Sequence, residues 1–150
     1  MASTNQPAQA NNQRKRRVLF ICIGNSCRSP MAESIALRDA ADLFESSSAG
    51  LAPLGVVQKL TFSTLANNGY PTDGLSSKPI LKEVWALADL VINMSGYHKQ
   101  RTFPRSEWHK VEDWDVEDPY GYDATDYQRI FEDIRTRIES LTARLRDGRH

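Results

Sequence analysis

The order of apolar segments along the chain predicts an α/β sandwich, a parallel sheet covered by helices on both faces. Short β-rich runs at 18–23, 46–50 and 90–94 alternate with segments of helical pattern. This alternation favours parallel strand pairing through right-handed crossovers. The first and third runs lack polar alternation, as expected for strands buried on both faces. A chain of 150 residues, 40% of them hydrophobic, is long enough for one domain with its own core.

The first helix is predicted to follow the first strand after a short loop. Ser29 stands where an N-cap belongs, Pro30 suits the first helical position, and Glu33 falls in the first turn. We expect this helix to run to about Phe44.

The middle of the chain continues the alternation of strands and helices. The sequence SSSAG predicts the second strand, which Gly50 closes, and the sequence NNGYP ends the helix that follows it. The predicted segments are a strand at 46–50, helices at 56–68, 81–89 and 96–102, a strand at 90–94, and an edge strand at 109–114.

The last helix has the clearest pattern in the chain. Its apolar residues recur at steps of three and four, which places them on one stripe of a helix. Asp123 and Thr125 offer capping at its start. The stripe consists of Tyr127, Ile130, Phe131, Ile134, Ile138, Leu141 and Leu145.

Composition excludes several classes of protein. A charged fraction of 25% and a net charge of zero argue against nucleic-acid binding through the whole surface. No apolar run approaches the ~20 residues of a membrane helix, and the polar N-terminus lacks the apolar core of a signal peptide. Two cysteines close in sequence do not form the disulfide framework of a secreted protein. We therefore expect a cytoplasmic protein that binds neither nucleic acid nor membrane.

The N-terminal segment is expected to be a tail. Residues 1–13 show no apolar period, which is typical of disorder. We interpret the sequence RKRR at 14–17 as a solvated lead-in to the first strand; a basic patch for nucleic acid or anionic lipid is the alternative. These patterns predict a disordered tail at 1–16 and a single domain at 17–150.

The loop between the first strand and the first helix carries both cysteines. Its sequence, CIGNSCRS, has the form Cys-x5-Arg-Ser. Backbone N–H groups from Ile23 to Arg28 can curl into a nest around a tetrahedral anion, and Gly24 and Asn25 tolerate the left-handed backbone that the curl requires. The helix adds its positive end, and Arg28 adds a planar fork that matches two phosphate oxygens. The loop is therefore a predicted phosphate-binding site at the carboxyl end of a strand, where ligands bind in such sheets.

Cys22 ends the first strand and would face a phosphate bound in this loop. The helix N-terminus and Arg28 favour its thiolate form, and Ser29 could donate its hydroxyl to the sulfur. No acidic residue lies between Cys22 and Ser29 to oppose these effects. The arrangement indicates nucleophilic catalysis through a covalent phosphocysteine. The alternative, for a single cysteine at the end of a buried strand, is packing as a small hydrophobic side chain.

The second cysteine has a different interpretation. We expect Cys27 to pack against the core or to shape the loop, with a disulfide to Cys22 as the alternative. A zinc site formed by the thiols with His98 or His109 is disfavoured, because the ligand spacing fits no common pattern.

Phosphocysteine chemistry also needs a general acid, which later activates water as a base. The stretch VEDWDVEDPYGYD, residues 111–123, is rich in carboxylates and could equally be a solvated acidic loop. Asp118 is favoured over its acidic neighbours, because Pro119 fixes the backbone that follows it and Tyr120 offers an aromatic wall for a ring that bears a phosphate.

Two segments together resemble the low-molecular-weight protein tyrosine phosphatases. The sequence VLFICIGNSCRSPMAE, residues 18–33, looks like the signature of that family, and EDPYG, residues 117–121, looks like its acid loop. The similarity covers most of residues 17–145. It implies a four-stranded parallel sheet flanked by helices, with the phosphate-binding loop after the first strand. It also implies a monomer or weak dimer that needs no cofactor and no metal.

The resemblance further implies roles for the matching positions. Cys22 would be the nucleophile, Arg28 the phosphate clamp, and Asp118 the acid and then the base. Ser29 would stabilise the thiolate, and Asn25 would hold the loop in shape. The implied phosphate-binding residues are Ile23, Gly24, Asn25, Ser26, Cys27 and Ser29, and the implied substrate pocket consists of Ile23, Ser26 and Tyr120.

The chain departs from the family pattern at two positions. Gly121 follows Tyr120 where family members often have a second aromatic residue, and Ser95 follows Met94 where many members have an acid. One wall of the pocket and the support behind the site are therefore expected to differ.

The segments SAGLAPLG and GLSSKPI also look like the arsenate reductases that share this fold. Those enzymes pass a disulfide outward through further cysteines, whereas no cysteine follows Cys27 here. Our first hypothesis is a phosphatase that acts on phosphotyrosine in proteins or on other aryl phosphates. The alternatives are an arsenate reductase that uses an external thiol, such as glutathione or glutaredoxin, and a non-catalytic phosphate-binding module.

Overall fold

The sheet has four strands, all parallel, in the order β2-β1-β3-β4. The computed structural model describes residues 14–148. The strands are β1 (Arg16–Cys22), β2 (Phe44–Gly50), β3 (Leu90–Asn93) and β4 (Val111–Asp113). The four-stranded parallel sheet implied by the resemblance is confirmed, whereas most of the predicted tail, residues 1–13, lies outside the described residues.

Helices connect and flank these strands. They are α1 (Arg28–Asp39), α2 (Lys59–Asn67), α3 (Lys82–Leu87), α4 (Lys99–Thr102), a 3₁₀ helix (Arg105–Lys110) and α5 (Ala124–Arg146). Within residues 14–148, no helix combines the length and the apolar character that crossing a membrane would require.

The two faces of the sheet are covered unequally. Val18 and Phe20 of β1 face a large core built with α1, α2 and α5, whereas Leu19 and Ile21 face a smaller core built with α3 and the segment around Phe103. All four β1 side chains are at most 1% exposed, as predicted for a strand buried on both faces. The predicted α/β sandwich is confirmed, with a thick helical layer on one face and short helices on the other.

Several predicted boundaries are wrong. The second strand begins at residue 44 and not 46, the helix predicted at 96–102 begins at 99, and the strand predicted at 109–114 is limited to 111–113. The first helix ends at Asp39 and not near Phe44, because Phe44 already begins β2 and pairs with Arg16. β1 likewise begins at Arg16, before the predicted start at residue 18. The missed strand residues include Arg17 and Glu45, which are exposed and paired as ions at 3.1 Å. The hydrophobic pattern could not mark strand ends that lie in solvent.

The start of α1 also differs from the prediction. The helix begins at Arg28, with Cys27 at the N-cap position and no side-chain capping hydrogen bond. Ser29, the predicted N-cap, lies in the first turn, and its hydroxyl contacts Cys22 and Asn25 instead. The N-terminal N–H groups of α1 are therefore not taken up by a capping side chain.

The last helix agrees with its predicted pattern. The carboxylate of Asp123 caps α5 and accepts a hydrogen bond from the N–H of Asp126 at 3.1 Å. The predicted stripe from Tyr127 to Leu141 is buried, and Leu145 packs partly buried against the same core. The cap therefore sets where the preceding loop ends and α5 begins.

Candidate active site

The phosphate loop, residues 22–29, lies at the carboxyl edge of the sheet. Cys22 is the last residue of β1 and pairs with Gly50, the last residue of β2. The chain then turns directly into α1 at Arg28. The loop thus has the predicted position between a buried strand and a helix N-terminus.

The carbonyl oxygens of the phosphate loop are tied to the segments around it. Because these donors hold the carbonyls, the N–H groups of the loop remain for an anion. The contacts are Cys22 O with Leu51 N (3.1 Å), Ile23 O with Ala52 N (2.8 Å), Gly24 O with Leu54 N (3.0 Å) and Ser77 Oγ (2.8 Å), and Ser26 O with Gln58 N (3.1 Å) and Thr61 Oγ1 (2.8 Å).

Asn25 holds the curve of this loop from behind. Its φ of 50° lies in the left-handed region, as its position in the motif predicted. The side-chain Oδ1 accepts a hydrogen bond from the N–H of Lys78 at 2.9 Å, which fixes the orientation of the amide. Nδ2 then donates to Ser29 Oγ at 2.7 Å and to Ser48 Oγ at 3.0 Å.

Ser29 extends this network to Cys22. Its Oγ accepts the Asn25 hydrogen, so its own hydroxyl hydrogen is free for Cys22 Sγ, which lies 3.0 Å away. The carbonyl of Ala49 is the other acceptor within reach, at a longer 3.4 Å. A hydroxyl that donates to sulfur favours the thiolate over the thiol.

Arg28 is 4% exposed and is oriented by two backbone carbonyls. Its Nη1 donates to Met94 O at 2.6 Å and to Val116 O at 3.1 Å, and its Nη2 lies 3.5 Å from Asp118 Oδ2. Its Nε is buried and has no hydrogen-bond partner among residues 14–148. Nε and Nη2 form one edge of the guanidinium, the edge that matches two phosphate oxygens. An orphaned buried donor on that edge points to an anionic ligand.

A cavity of about 200 Å³ opens over the phosphate loop. It brings together Cys22, Arg28 and Asp118, the three predicted catalytic residues. Asp118 and Tyr120 come from the loop before α5 and are about half exposed, with values of 46% and 54%. The complete lining is Cys22, Ile23, Gly24, Ser26, Cys27, Arg28, Leu54, Asp118 and Tyr120.

Two of the predicted phosphate-binding residues do not line this cavity. Asn25 and Ser29 are fully buried and support the loop from behind. The predicted pocket residues Ile23, Ser26 and Tyr120 do line it.

Leu54 is the lining residue that sequence reasoning missed. It lies in the loop after β2 and is 48% exposed, and its N–H donates to Gly24 O at 3.0 Å. It adds an aliphatic wall to the pocket in which Gly121 provides no second aromatic side chain. The available signal was topological, because the loops after neighbouring parallel strands meet at one edge.

Cys27 lines the cavity but is bonded toward the helical layer. Its Sγ lies 3.3 Å from Tyr127 Oη and 3.6 Å from Ser26 Oγ. Burial raises the pKa of the Cys27 thiol, and burial also raises the pKa of Tyr127. Both groups are therefore neutral at neutral pH. Cys22 and Cys27 are free thiols in this structure.

Glu33 of α1 lies at the far end of the network behind the loop. Its Oε1 accepts a hydrogen bond from Ser48 Oγ at 2.5 Å. Burial raises the pKa of Glu33, and the Ser48 hydrogen bond opposes that effect. Hydrogen bonds thus connect Glu33 through Ser48, Asn25 and Ser29 to Cys22.

The zinc alternative finds no ligand set in this structure. Among residues 14–148 there is no group of three or more His, Cys, Asp and Glu side chains that could hold a metal ion. His98 instead lies with its Nδ1 at 3.6 Å from Asp113 Oδ2, away from the thiols.

The chain matches a known protein family over nearly its whole length. A family model described as low molecular weight phosphotyrosine protein phosphatase matches residues 17–150. Among curated proteins, arsenate reductase 2 of Staphylococcus haemolyticus is 31% identical over 130 residues, which make up 87% of this chain and 98% of that protein.

Solved structures share the fold. The YwlE arginine phosphatase from Geobacillus stearothermophilus aligns with a TM-score of 0.79 at 26% identity, over 89% of this chain and 94% of that one. A low molecular weight protein tyrosine phosphatase from T. tengcongensis aligns with a TM-score of 0.77 at 31% identity, over 87% of this chain and 99% of that one. The names of these relatives give different activities. The likeness therefore establishes the fold, but it does not identify the substrate.

Proposed function

The chain belongs to the low molecular weight phosphotyrosine protein phosphatase family, and from this membership we propose that it hydrolyses phosphotyrosine or other aryl phosphates through a phosphocysteine intermediate. One observation carries the proposal: a single cavity is lined by a thiol, an arginine whose buried Nε has no hydrogen-bond partner among residues 14–148, and a half-exposed carboxyl group. A nucleophile, an anion clamp and a general acid are the groups that this reaction needs.

In the first step, the Cys22 thiolate attacks the phosphorus atom of the bound ester. An S–P bond forms as the P–O bond to the aryl group breaks, and the carboxyl group of Asp118 gives its proton to the leaving oxygen. Nε and Nη2 of Arg28, with the N–H groups of the phosphate loop, stabilise the charge on the other phosphate oxygens. The hydroxyl of Ser29 stabilises the thiolate before attack.

In the second step, water replaces the sulfur. The Asp118 carboxylate, now ionised, takes a proton from a water molecule as that water attacks phosphorus. The S–P bond breaks, inorganic phosphate leaves, and Cys22 returns to the thiolate. Asp118 ends the cycle protonated, so the atoms and the protons balance without a cofactor.

The walls of the cavity support an aryl substrate. Tyr120 is an exposed aromatic side chain on one loop, and Leu54 is an exposed aliphatic side chain on another. A flat ring between them would bury apolar area on both faces. We propose the phosphotyrosine side chain of a protein as the natural example of such a ring.

Arsenate reduction is the second candidate, because a relative with 31% identity carries that name. Arsenate resembles phosphate and would fit the same loop. Its reduction takes two electrons, which thiols supply by forming a disulfide. The sequence contains only two cysteines, both in the phosphate loop, so a relay through a third cysteine of this chain is impossible. An external thiol such as glutathione must then return the oxidised protein to its thiol form for each new turnover.

The test measures p-nitrophenyl phosphate hydrolysis across pH, with chelator present, for the wild type, Cys22→Ser and Cys27→Ser. We expect turnover in the wild type, none in Cys22→Ser, and persisting turnover in the matched Cys27→Ser variant. The rates with a phosphotyrosine peptide, a phosphoarginine peptide, and arsenate plus glutathione are then compared. Wild-type protein that binds phosphate but hydrolyses none of the esters, or turnover that survives in Cys22→Ser, would contradict the proposal.

A further inference from the structure

We infer that Asn93 is a positioning residue for Arg28, because it sets the two backbone carbonyls that turn the guanidinium toward a phosphate. The inference rests on the proposed function, in which Arg28 is the phosphate clamp. Asn93 is the last residue of β3 and is 2% exposed. No sequence motif considered above assigns it a role.

The side chain of Asn93 uses its full hydrogen-bonding capacity. Oδ1 accepts from the N–H of Ser95 at 3.1 Å and from its hydroxyl at 2.7 Å. Nδ2 donates to Tyr97 O and to Asp113 Oδ1, each at 2.8 Å. An amide side chain offers two donor hydrogens and two acceptor lone pairs, so the orientation of Asn93 is fully determined.

The first carbonyl is that of Met94. The two hydrogen bonds that Ser95 donates to Asn93 Oδ1 close a turn in which Met94 is the middle residue. The N–H of Met94 continues the sheet by donating to Ile21 O at 2.7 Å. These bonds set the direction of the Met94 carbonyl, which accepts Arg28 Nη1 at 2.6 Å.

The second carbonyl is that of Val116. Asn93 holds the chain that leads to it in two ways, through the Nδ2 bond to Asp113 and through its own carbonyl, which accepts the N–H of Trp114 at 2.9 Å. The N–H of Val116 bonds back to Trp114 O at 3.1 Å, and Val116 O accepts Arg28 Nη1 at 3.1 Å.

Both carbonyls therefore hold Nη1 of Arg28 and neither occupies Nε or Nη2, the edge that we assign to the phosphate and whose Nη2 also lies 3.5 Å from Asp118 Oδ2. Many family members have an acid at the position of Ser95, and here an amide–hydroxyl pair without charge provides the support. Without the Asn93 side chain, the backbone bond from the N–H of Trp114 to the carbonyl of residue 93 remains, but the ties to Ser95, Tyr97 and Asp113 are lost, and the two carbonyls hold the guanidinium less firmly. A displacement of about 1 Å at a catalytic group costs about 10²-fold in rate.

The experiment compares Asn93→Ala with the wild type in two measurements. One is kcat/KM for p-nitrophenyl phosphate and for phenyl phosphate, and the other is the binding of inorganic phosphate by calorimetry. We expect kcat/KM to fall by about 10- to 100-fold and phosphate affinity to fall by about tenfold, as for a lost charge-assisted hydrogen bond. The ratio between the two esters should not change, because Arg28 grips the phosphate whatever the leaving group. A displaced acid would instead slow phenyl phosphate more.

A rescue and a matched control make the test specific. Asn93→Asp sets a carboxylate against Asp113 and against the Tyr97 carbonyl. Adding Asp113→Asn restores a donor between residues 93 and 113, although not the donor to Tyr97 O, so the double variant should recover part of the phosphate affinity lost in Asn93→Asp. The matched control is Asn68→Ala, which removes a partly buried side-chain amide at the end of α2 that donates to Thr64 O and to Gln128. It should leave phosphate affinity unchanged.

Unchanged phosphate affinity in folded Asn93→Ala, or an equal loss in Asn68→Ala, would overturn the inference. If Asn93→Ala does not fold, the double variant decides: recovery supports the inference and its absence rejects it. If the wild type hydrolyses no ester while Asn93→Ala still loses phosphate affinity, the proposed function fails and the role of Asn93 stands.

Discussion

The phosphate loop and the acid loop (residues 115–123) meet at one cavity but are held in very different ways. The phosphate loop is largely buried, and donors from three neighbouring segments fix its carbonyls. The acid loop is mostly exposed, and its local ties are surface contacts such as the N–H of Tyr120 to Asp118 Oδ1 and the Arg129–Glu117 ion pair. Under the proposed mechanism, the contrast means that the charge of the substrate would meet a preorganised site, whereas the proton donor would lie on a more exposed segment that can adjust to different leaving groups.

Apart from loss of the Cys22 thiol, the largest effect is expected when the proposed proton donor Asp118 is removed. Asp118→Asn keeps the shape of the side chain but cannot protonate the leaving oxygen, so kcat for phenyl phosphate should fall by about 10²- to 10⁴-fold. The loss should be much smaller for 2,4-dinitrophenyl phosphate, whose leaving group needs no proton. Steady-state kinetics with both esters measure this, and inhibition by inorganic phosphate should persist.

The neighbouring acids provide the control for this variant. Asp115→Asn and Glu117→Gln should retain near wild-type kcat, although Glu117→Gln breaks the ion pair with Arg129. An active Asp118→Asn beside an inactive Asp115→Asn or Glu117→Gln would transfer the role to that neighbour.

The same substitution in the two regions tests how differently they are held. A Cβ on Gly50 would lie 2.7 Å from Ile23 O and 3.0 Å from Asn25 N, so alanine there must push the phosphate loop out of shape. We expect Gly50→Ala to lower kcat/KM by about 10²-fold. Gly121 has a φ of 85° but no atom within 4 Å of its added Cβ. Gly121→Ala should therefore cost about 1–2 kcal/mol of local strain and little activity.

Thermal unfolding and kcat/KM for p-nitrophenyl phosphate separate the two outcomes. Equal losses of activity in Gly50→Ala and Gly121→Ala would show that the acid loop is as tightly constrained as the phosphate loop.

The contrast also explains what the sequence could predict. The phosphate loop is contiguous, so Cys22, Asn25 and Arg28 could be identified from the order of residue types between a strand and a helix. Asp118 lies in a run of acids, and chemistry alone preferred it only modestly until the resemblance to a family was added. The order of residues along the chain identifies the phosphate loop, whereas the choice of Asp118 depends on where the acid loop lies in the folded protein.

The residues that sequence reasoning missed depend on strand register. Asn93 reaches Asp113 because β3 and β4 pair in that register, and Ser48 reaches the predicted loop residue Asn25 because β2 lies beside β1. Leu54 enters the cavity from a third loop. No periodicity within one segment encodes such contacts, since each joins residues at least 20 positions apart whose pairing is set by the assembled sheet.

The walls of the cavity should give a smaller effect than its catalytic groups. Tyr120→Ala and Leu54→Ala each remove apolar contact with a substrate ring, and aromatic contacts of this kind are worth about 0.5–1.5 kcal/mol. We expect KM for phenyl phosphate to rise by about 2- to 10-fold in each variant, with phosphate inhibition unchanged. A rise in Tyr120→Ala alone would show that Leu54 does not contact the ring.

The smallest effect concerns stability, in the network behind the phosphate loop. Burial raises the pKa of Glu33, so between its unfolded and folded pKa values the folded protein binds more protons than the unfolded chain. Stability therefore falls as the pH rises through that interval and stays lower above it, where the buried carboxylate is ionised. Glu33→Gln keeps a carbonyl acceptor for Ser48 but has no charge to bury. We expect the stability of this variant, measured as the free energy of unfolding in urea, to exceed that of the wild type by more at about pH 8 than at about pH 4. The lower pH lies below the unfolded pKa of a glutamate. The exposed Glu139→Gln is the control, and a Glu33→Gln difference that stays constant between the two pH values would show that the carboxyl group ionises as freely behind the loop as in the unfolded chain.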